Sequence, residues 1–261
     1  MIGREELLIY ARQKNVDPFW IENDYLQHIA LACIYSEFSN ELVFKGGTAL
    51  QKAFGLNRLS RDLDFNLTGG NPTAKMEVAV KRISDFYESS LEGPFKTKHG
   101  EGFRVIILGP SYASTGVKHP MPITMNEVEK VEIAPQFKTI NPGILYRDPD
   151  MRTYSMLVMQ EEEMLAEKVR AVLTRKAVEP RDLYDIWFML NNGVRFNNAL
   201  ARKKTEFDHG TFRESAFKRR MKEAGSAWED DLKPLINPLP GYVDVVSYLS
   251  KNLKIGQLKR L

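Results

Sequence analysis

Cysteine is almost missing from this chain: Cys33 is the single one among 261 residues, which excludes an internal disulfide. Such scarcity is what a reducing compartment predicts, and a cytoplasmic location is the expectation. No run approaches the ~18 consecutive apolar residues of a membrane-spanning helix. The stretch from Met1 to Lys14 carries Arg4, Glu5 and Glu6 and has no apolar centre, so a secretory signal is not expected there. Internal repeats and low-complexity segments are also missing. What remains is the composition of an ordinary globular protein, with 43% hydrophobic and 27% charged residues. At about 150 residues per domain, the length suits one large or two modest domains.

The excess of either charge is small, +3 from 37 Lys+Arg and 34 Asp+Glu, and by itself it implies no partner. Its distribution is more telling. Residues 195–261 hold 14 basic and 8 acidic side chains, while residues 1–194 carry a net −3. Two basic runs, Arg202-Lys203-Lys204 and Lys218-Arg219-Arg220, lie among Phe196, Phe207, Phe212, Phe217 and Trp228. Cations amid aromatics suit RNA. A solvated helical face over an aromatic core explains the same pattern.

Residues 24–38 place Leu26, Ile29, Ala30, Cys33 and Ile34 at helical spacing, with Asn23 or Asp24 as the cap. Cys33 is thus expected to be a core thiol, and His28 beside the stripe a structural histidine. A short strand over 41–45 stops at Gly46-Gly47, a helix follows over 48–54, and Gly55 ends it. Period-two alternation predicts strands over 61–67 and 127–134, and 103–108 also reads as a strand. Residues 74–91 read as a helix and 109–122 as a loop. From about residue 155 the pattern is helical, over 160–177, 181–192, about 211–224 and 242–252. Pro135, Pro142 and Pro149 place a boundary near residue 150, between an α+β unit, 1–150, and a helical part, 151–261.

The stretch that carries chemistry is Phe44-Lys-Gly-Gly-Thr48 followed by Ser60-Arg-Asp-Leu-Asp-Phe65. Two glycines leading into a helix let a phosphate approach free backbone N–H groups. Asp62 and Asp64, at i and i+2 of a strand, share a face roughly 6.5–7 Å apart and suit two hard cations. Each piece alone is weak, since a glycine pair is usually a turn and Asp-x-Asp is often a solvated face. Both on consecutive elements, with 14 residues between Gly47 and Asp62, are less easily explained so. No Gly-Lys-Ser/Thr follows the glycines, so this is not a Walker A loop.

These residues resemble the signature of the DNA polymerase β-like nucleotidyltransferase superfamily. The fuller strings, Lys45-Gly-Gly-Thr-Ala-Leu50 and Arg58-Leu-Ser-Arg-Asp-Leu-Asp64, are similar to AbiEii-type nucleotidyltransferases, toxins of abortive-infection and related toxin–antitoxin systems. Residues 161–185 resemble the family's downstream motifs, a Glu/Lys-bearing helix followed by Arg-Asp-h-x-Asp, where h is apolar. The resemblance implies an α+β fold, with a mixed sheet flanked by helices and a helical C-terminal part that completes the active site. It implies transfer of NMP from an NTP to an acceptor, RNA and first of all tRNA, with release of pyrophosphate, and a cognate antitoxin as partner. Asp62 and Asp64 would hold Mg²⁺ in a two-metal site. Glu132, on the strand expected over 127–134, is the candidate third carboxylate, with Glu127 and Glu129 as competitors. Lys45, Gly46, Gly47, Thr48 and Arg61 would bind the nucleotide, and Lys168 would reach its phosphates. Asp182 and Asp185 would join the active site as base or as orienting groups. Two other readings use the same residues: a phosphotransferase that moves the γ-phosphate, and a degenerate core that binds nucleic acid without turnover.

Overall fold

After a first helix, α1 (Arg4–Lys14), the long helix α2 (Pro18–Phe38) starts where a capping residue meets a proline. The Asp17 carboxylate accepts the Phe19 amide at 2.8 Å, and Pro18 takes a position that needs no amide proton. The cap expected at Asn23 or Asp24 is therefore too late; both residues lie buried within the helix. The computed structural model describes residues 1–256, so Lys259 and Arg260 of the basic last quarter lie outside the described residues. The chain divides into two compact units, Met1–Met159 and the part from Gln160 onward.

In the first unit, β1 (Leu42–Lys45), α3 (Gly46–Phe54), β2 (Leu63–Leu67), α4 (Pro72–Ser84), β3 (Ser89–Lys96) and β4 (Gly100–Ile107) follow α2. Then come α5 (Tyr112–Thr115), β5 (His119–Asn126), β6 (Gln136–Ile140), α6 (Pro142–Tyr146) and β7 (Tyr154–Val158). The strands form one mixed seven-stranded sheet in the order β3-β4-β5-β2-β1-β7-β6. β1 runs antiparallel to β2, which sets Phe44 opposite Phe65 and Lys45 opposite Asp64. The Phe44 and Phe65 rings stack 5.0 Å apart, and the Tyr35 ring of α2 lies 6.1 Å from Phe65. That face is the core. Period two sends Lys45 and Asp64 to the other side.

Several spans differ from expectation for identifiable reasons. The helix expected over 74–91 ends at Ser84, and Ser89–Lys96 is an edge strand, where so polar a sequence is tolerated. The expected loop over 109–122 contains the start of β5. Its Pro120 and Pro122 lie where β5 pairs with β4 alone, because β2 joins only from Ile123 onward. No strand forms over 127–134. The Asn126 side chain accepts the amides of Val128 at 3.0 Å and Glu129 at 2.9 Å and turns the chain out of the sheet. Tyr154–Val158, expected to be helical, is a strand parallel to β1 that buries Tyr154, Met156 and Val158.

The second unit consists of helices among its described residues: α7 (Glu161–Thr174), α8 (Pro180–Asn191), α9 (Asn198–Phe207), α10 (Glu214–Glu223), α11 (Trp228–Leu232) and α12 (Tyr242–Asn252). Phe212, Phe217 and Trp228 are buried in its core. No helix among the described residues is long and apolar enough to cross a membrane.

Cys33 is buried, and burial pushes its thiol up from 9.0 to about 11. His28 is buried with Nδ1 2.9 Å from the Tyr154 hydroxyl. Burial, then the nearby Lys52 ammonium, pushes its pKa down from 6.5 to about 3. Below about pH 6.5 the unfolded chain takes up a proton that the folded chain refuses, so this site makes stability fall as pH falls toward about 3. Between about pH 7 and about pH 4.5, the thermal midpoint of the wild type should drop further than that of His28→Gln. Parallel drops would place the acid sensitivity elsewhere.

Candidate active site

In the first unit the glycine pair is required by what lies against it. Gly46 has φ +79°, and a Cβ there would lie 2.7 Å from Asp64 Oδ2. A Cβ on Gly47 would run into the Arg58 guanidinium and lie 3.1 Å from Ser60 Oγ. Only glycine lets β1 turn directly into α3 while the aspartate strand passes this close. The helix begins on the glycines themselves, and its first amides face outward from the helix end with no intrahelical acceptor. Thr48 is buried, and its hydroxyl donates to the Asp62 carbonyl at 2.5 Å.

Asp64 lies on β2, where its Oδ1 accepts the Thr124 hydroxyl of β5 at 2.5 Å. Asp62 does not lie on the strand, as the alternation suggested, but immediately before it. Its Oδ1 accepts Arg61 Nε at 3.0 Å. Lys45 is buried, with Nζ 3.8 Å from Glu129 Oε2, and Asn126 Nδ2 reaches the same oxygen at 3.3 Å. For Glu132 the correction concerns its setting: the strand expected to carry it is absent, and it lies exposed in the loop between β5 and β6. Of the three glutamates weighed, only Glu129 is buried, and it faces Lys45. Among the described residues, no group of three or more His, Cys, Asp or Glu forms a ready cation cage. Asp62 and Asp64 beside a helix N-terminus nevertheless fit Mg²⁺, which commonly takes one or two carboxylates and completes its shell with phosphate oxygens and water.

In the second unit, Lys168 of α7 reaches across to α8. Its Nζ lies 2.7 Å from Asp182 Oδ1 and 2.7 Å from Asp185 Oδ2. The i, i+3 spacing places both carboxylates on one face, and both are fully buried. Arg175 Nε lies 3.5 Å from Asp182 Oδ2, and Arg175 also pairs with Glu179. Burial would raise the Glu179 carboxyl, but Arg181 and Arg175 hold it below its ordinary value.

The basic runs separate into two groups. Lys204 is 3% exposed, with Nζ 2.9 Å from Glu163 and 3.1 Å from Glu167, so it cannot meet a nucleic acid. Arg220 is also spent inside the unit, donating to the carbonyls of Val172 at 2.9 Å and of Arg175, and pairing with Glu223. Arg202 stands 5.2 Å over the Phe212 ring, with Lys203 exposed beside it. Lys218 and Arg219 are exposed cations of α10 that pair with Glu214 at 2.7 Å and Glu223 at 3.8 Å.

The model of one protein family, the nucleotidyl transferase AbiEii toxin of type IV toxin–antitoxin systems, matches residues 29–246. The chain belongs to the AbiEii nucleotidyltransferase toxin family. Among solved structures it is similar to MenT4, a nucleotidyltransferase toxin from Mycobacterium tuberculosis H37Rv, with a TM-score of 0.68 and 17% identity over 97% of this chain and 88% of that one. It is also similar to JHP933 from Helicobacter pylori, with a TM-score of 0.60 and 17% identity over 90% of each chain. At that identity the likeness shows the fold. Comparison with curated proteins finds no significant sequence match.

The AbiEii motifs thus gather in two places: Lys45 to Thr48 with Arg61, Asp62 and Asp64 in the first unit, and Lys168 with Asp182 and Asp185 in the second. Thr124 and Arg58 were not foreseen. Arg58 stood within the motif but carries no pattern of its own, and Thr124 lay in a segment read partly as loop. A largely shielded cation between two buried carboxylates is costly to remove. Lys168→Met should lower stability by about 3–5 kcal/mol, because two buried carboxylates lose their main counter-charge. Urea denaturation checks this, and a loss below about 1 kcal/mol would show that the triad is solvated.

Proposed function

We propose that this AbiEii-family chain transfers NMP from an NTP to an RNA acceptor, tRNA first, with release of pyrophosphate, and that a cognate antitoxin restrains it. The observation that carries the reading is the contact of the Asp64 carboxylate with Gly46 at the start of α3. A site for phosphate and a site for its counter-cation lie within one van der Waals contact.

Asp62 and Asp64 would hold Mg²⁺, which supplies charge neutralisation of the triphosphate and acidifies a coordinated hydroxyl. The backbone amides of Gly46, Gly47 and Thr48 would take phosphate oxygens; the Thr48 hydroxyl already serves the Asp62 carbonyl. Arg61, half exposed beside Asp62, is the cation nearest to solvent. An acceptor hydroxyl oxygen bonds to the α-phosphorus as the bond from that phosphorus to the bridging oxygen breaks. Pyrophosphate leaves, and the hydroxyl proton passes to solvent. Most of the rate comes from positioning and electrostatics. Lys168 is the proposed counter-charge for the phosphates, a role that rests on its chemistry and the family motif. Its occupation of both Asp182 and Asp185 favours orienting roles for those two over that of a base. The RNA surface is proposed at Arg202, Lys203, Lys218 and Arg219, without Lys204 and Arg220.

Incubation with total RNA and each α-labelled NTP in turn tests the reaction, the base and the acceptor together. Asp64→Asn should lower labelling by at least about 100-fold with little change in thermal midpoint. Label transferred from a γ-labelled NTP would make the protein a phosphotransferase instead, and labelling that survives in Asp64→Asn would remove the metal assignment. Charge reversal at Lys218 and Arg219 should weaken RNA binding and flatten its salt dependence by about two units of slope. An unchanged slope would return both residues to a solvated helix face.

A further inference from the structure

Residues Ser60 to Asp62 lie outside the sheet ladder, which begins only at Leu63. Their carbonyls therefore need partners from elsewhere. Gln27, fully buried on α2, donates from Nε2 to the Ser60 carbonyl at 2.8 Å and to the Arg61 carbonyl at 3.1 Å. Asn23, one turn earlier on the same stripe, reaches the Ser60 carbonyl from Nδ2 at 3.5 Å. From α3 the Thr48 hydroxyl donates to the Asp62 carbonyl at 2.5 Å. Three successive carbonyls are held by side chains of α2 and α3.

This holding has a cost that bare stability does not explain. Gln27 Oε1 and Asn23 Oδ1 are both buried and meet no donor among the described residues. Two orphaned acceptors are retained so that the amide NH₂ groups point at the backbone ahead of Asp62. An aspartate on a strand has its direction set by the ladder, as Asp64 does. Asp62 has no ladder, so the backbone from which its carboxylate projects is set by these contacts, while Arg61 Nε holds its Oδ1.

We infer that Gln27 is a positioning residue for Asp62: its carboxamide clamps the Ser60 and Arg61 carbonyls and thereby aims the Asp62 carboxylate at the cation shared with Asp64. The inference rests on the metal-holding role proposed above for the two aspartates. It assigns a function to a helix that lies outside the glycine and aspartate motifs. Gln27 touches neither substrate nor cation. It acts through the backbone, in the way that outer residues orient metal ligands elsewhere.

The test uses Mn²⁺ as probe, with its uptake by the full chain followed by electron paramagnetic resonance. Gln27→Met keeps the volume and removes the donor; Gln27→Asn keeps the donor but falls one methylene short, and serves if the first variant does not fold. Either should weaken Mn²⁺ affinity about tenfold and lower kcat about tenfold, with the KM for NTP within about threefold of wild type. In an Asp62→Asn background the same substitution should cause no further loss of Mn²⁺ affinity. Unchanged affinity in both variants, or an equal further loss in the Asp62→Asn background, overturns the clamp. A lowered thermal midpoint with normal affinity and kcat likewise reduces Gln27 to a stabilising role. A wild type that takes up no Mn²⁺ overturns the metal reading itself, and the two failures are thereby distinguished.

Discussion

Between Gly46 and the carboxylate of Asp64 there is no room for a methyl group. Much of the first unit follows from that contact. β1 must turn into α3 without a spacer, which asks for a left-handed residue at the junction, and glycine alone supplies it without strain. The antiparallel register that places Lys45 opposite Asp64 then brings the helix start onto the aspartate strand. The returning chain has to pass under the helix, where Arg58 fills the space against Gly47 and leaves no room for a side chain there either. α2 meets this returning segment with amides rather than apolar groups. Its polar stripe of Asn23, Asp24, Gln27 and His28 is spent on carbonyls, on Lys52 and on Tyr154.

The second unit treats charge differently. Its sequence is strongly basic toward the end, yet part of that charge is internal. Lys204 neutralises two buried glutamates, Arg170 pairs with Asp208 at 2.5 Å, and Lys168 neutralises two buried aspartates. Net charge along a sequence therefore overstates the field a partner would feel. The surface cations of the two basic runs lie along α9 and α10 and are partly balanced by Glu206, Glu214 and Glu223. Such a surface would bind a polyanion through several modest contacts that weaken together as salt rises.

The site motif and the α+β architecture were legible because each rests on local rules. Glycines at a strand end and alternation over Leu63 to Leu67 are read from a few adjacent residues, and so is the Arg-Asp-h-x-Asp string after Lys168. The start of α2 was misread although its signal, Asp17 before Pro18, is local; the misread strand and basic run share another cause, which is that the deciding contact was distant. Whether 127–134 or 119–126 is the strand depends on β2, which claims Ile123 to Asn126 and leaves the prolines of β5 beside β4 alone. Local alternation favoured the charged segment, and Glu132 was placed on a strand that does not exist. Lys204 and Lys203 are neighbours in the same run, yet a helix face separates a buried cation from an exposed one. One signal was available and unused: polar residues at 23, 24, 27 and 28 form a stripe on an otherwise apolar helix. A stripe of that kind in a buried helix must find partners.

The ion pairs of the first unit differ in how easily they can be exchanged. Lys45 and Glu129 are both buried, so removing either takes a nearby counter-charge from the other where water is scarce. Asp24 is held likewise: burial alone would raise its carboxyl, yet the Lys52 ammonium and the Tyr146 hydroxyl hold it far below the ordinary carboxylate range. Arg61 and Asp62 are of another kind. The guanidinium is 51% exposed and the carboxylate 27%, and an exposed pair of neighbours is worth about 0–1 kcal/mol. A divalent cation arriving with a triphosphate would displace it at little cost. Arg61 would then stand beside the negative charge of that triphosphate, a better partner than a single carboxylate. The buried pairs hold the backbone of the site in both states, and the exposed pair yields, so the proposed reaction requires an exchange of partners at Asp62 and no rearrangement of the fold.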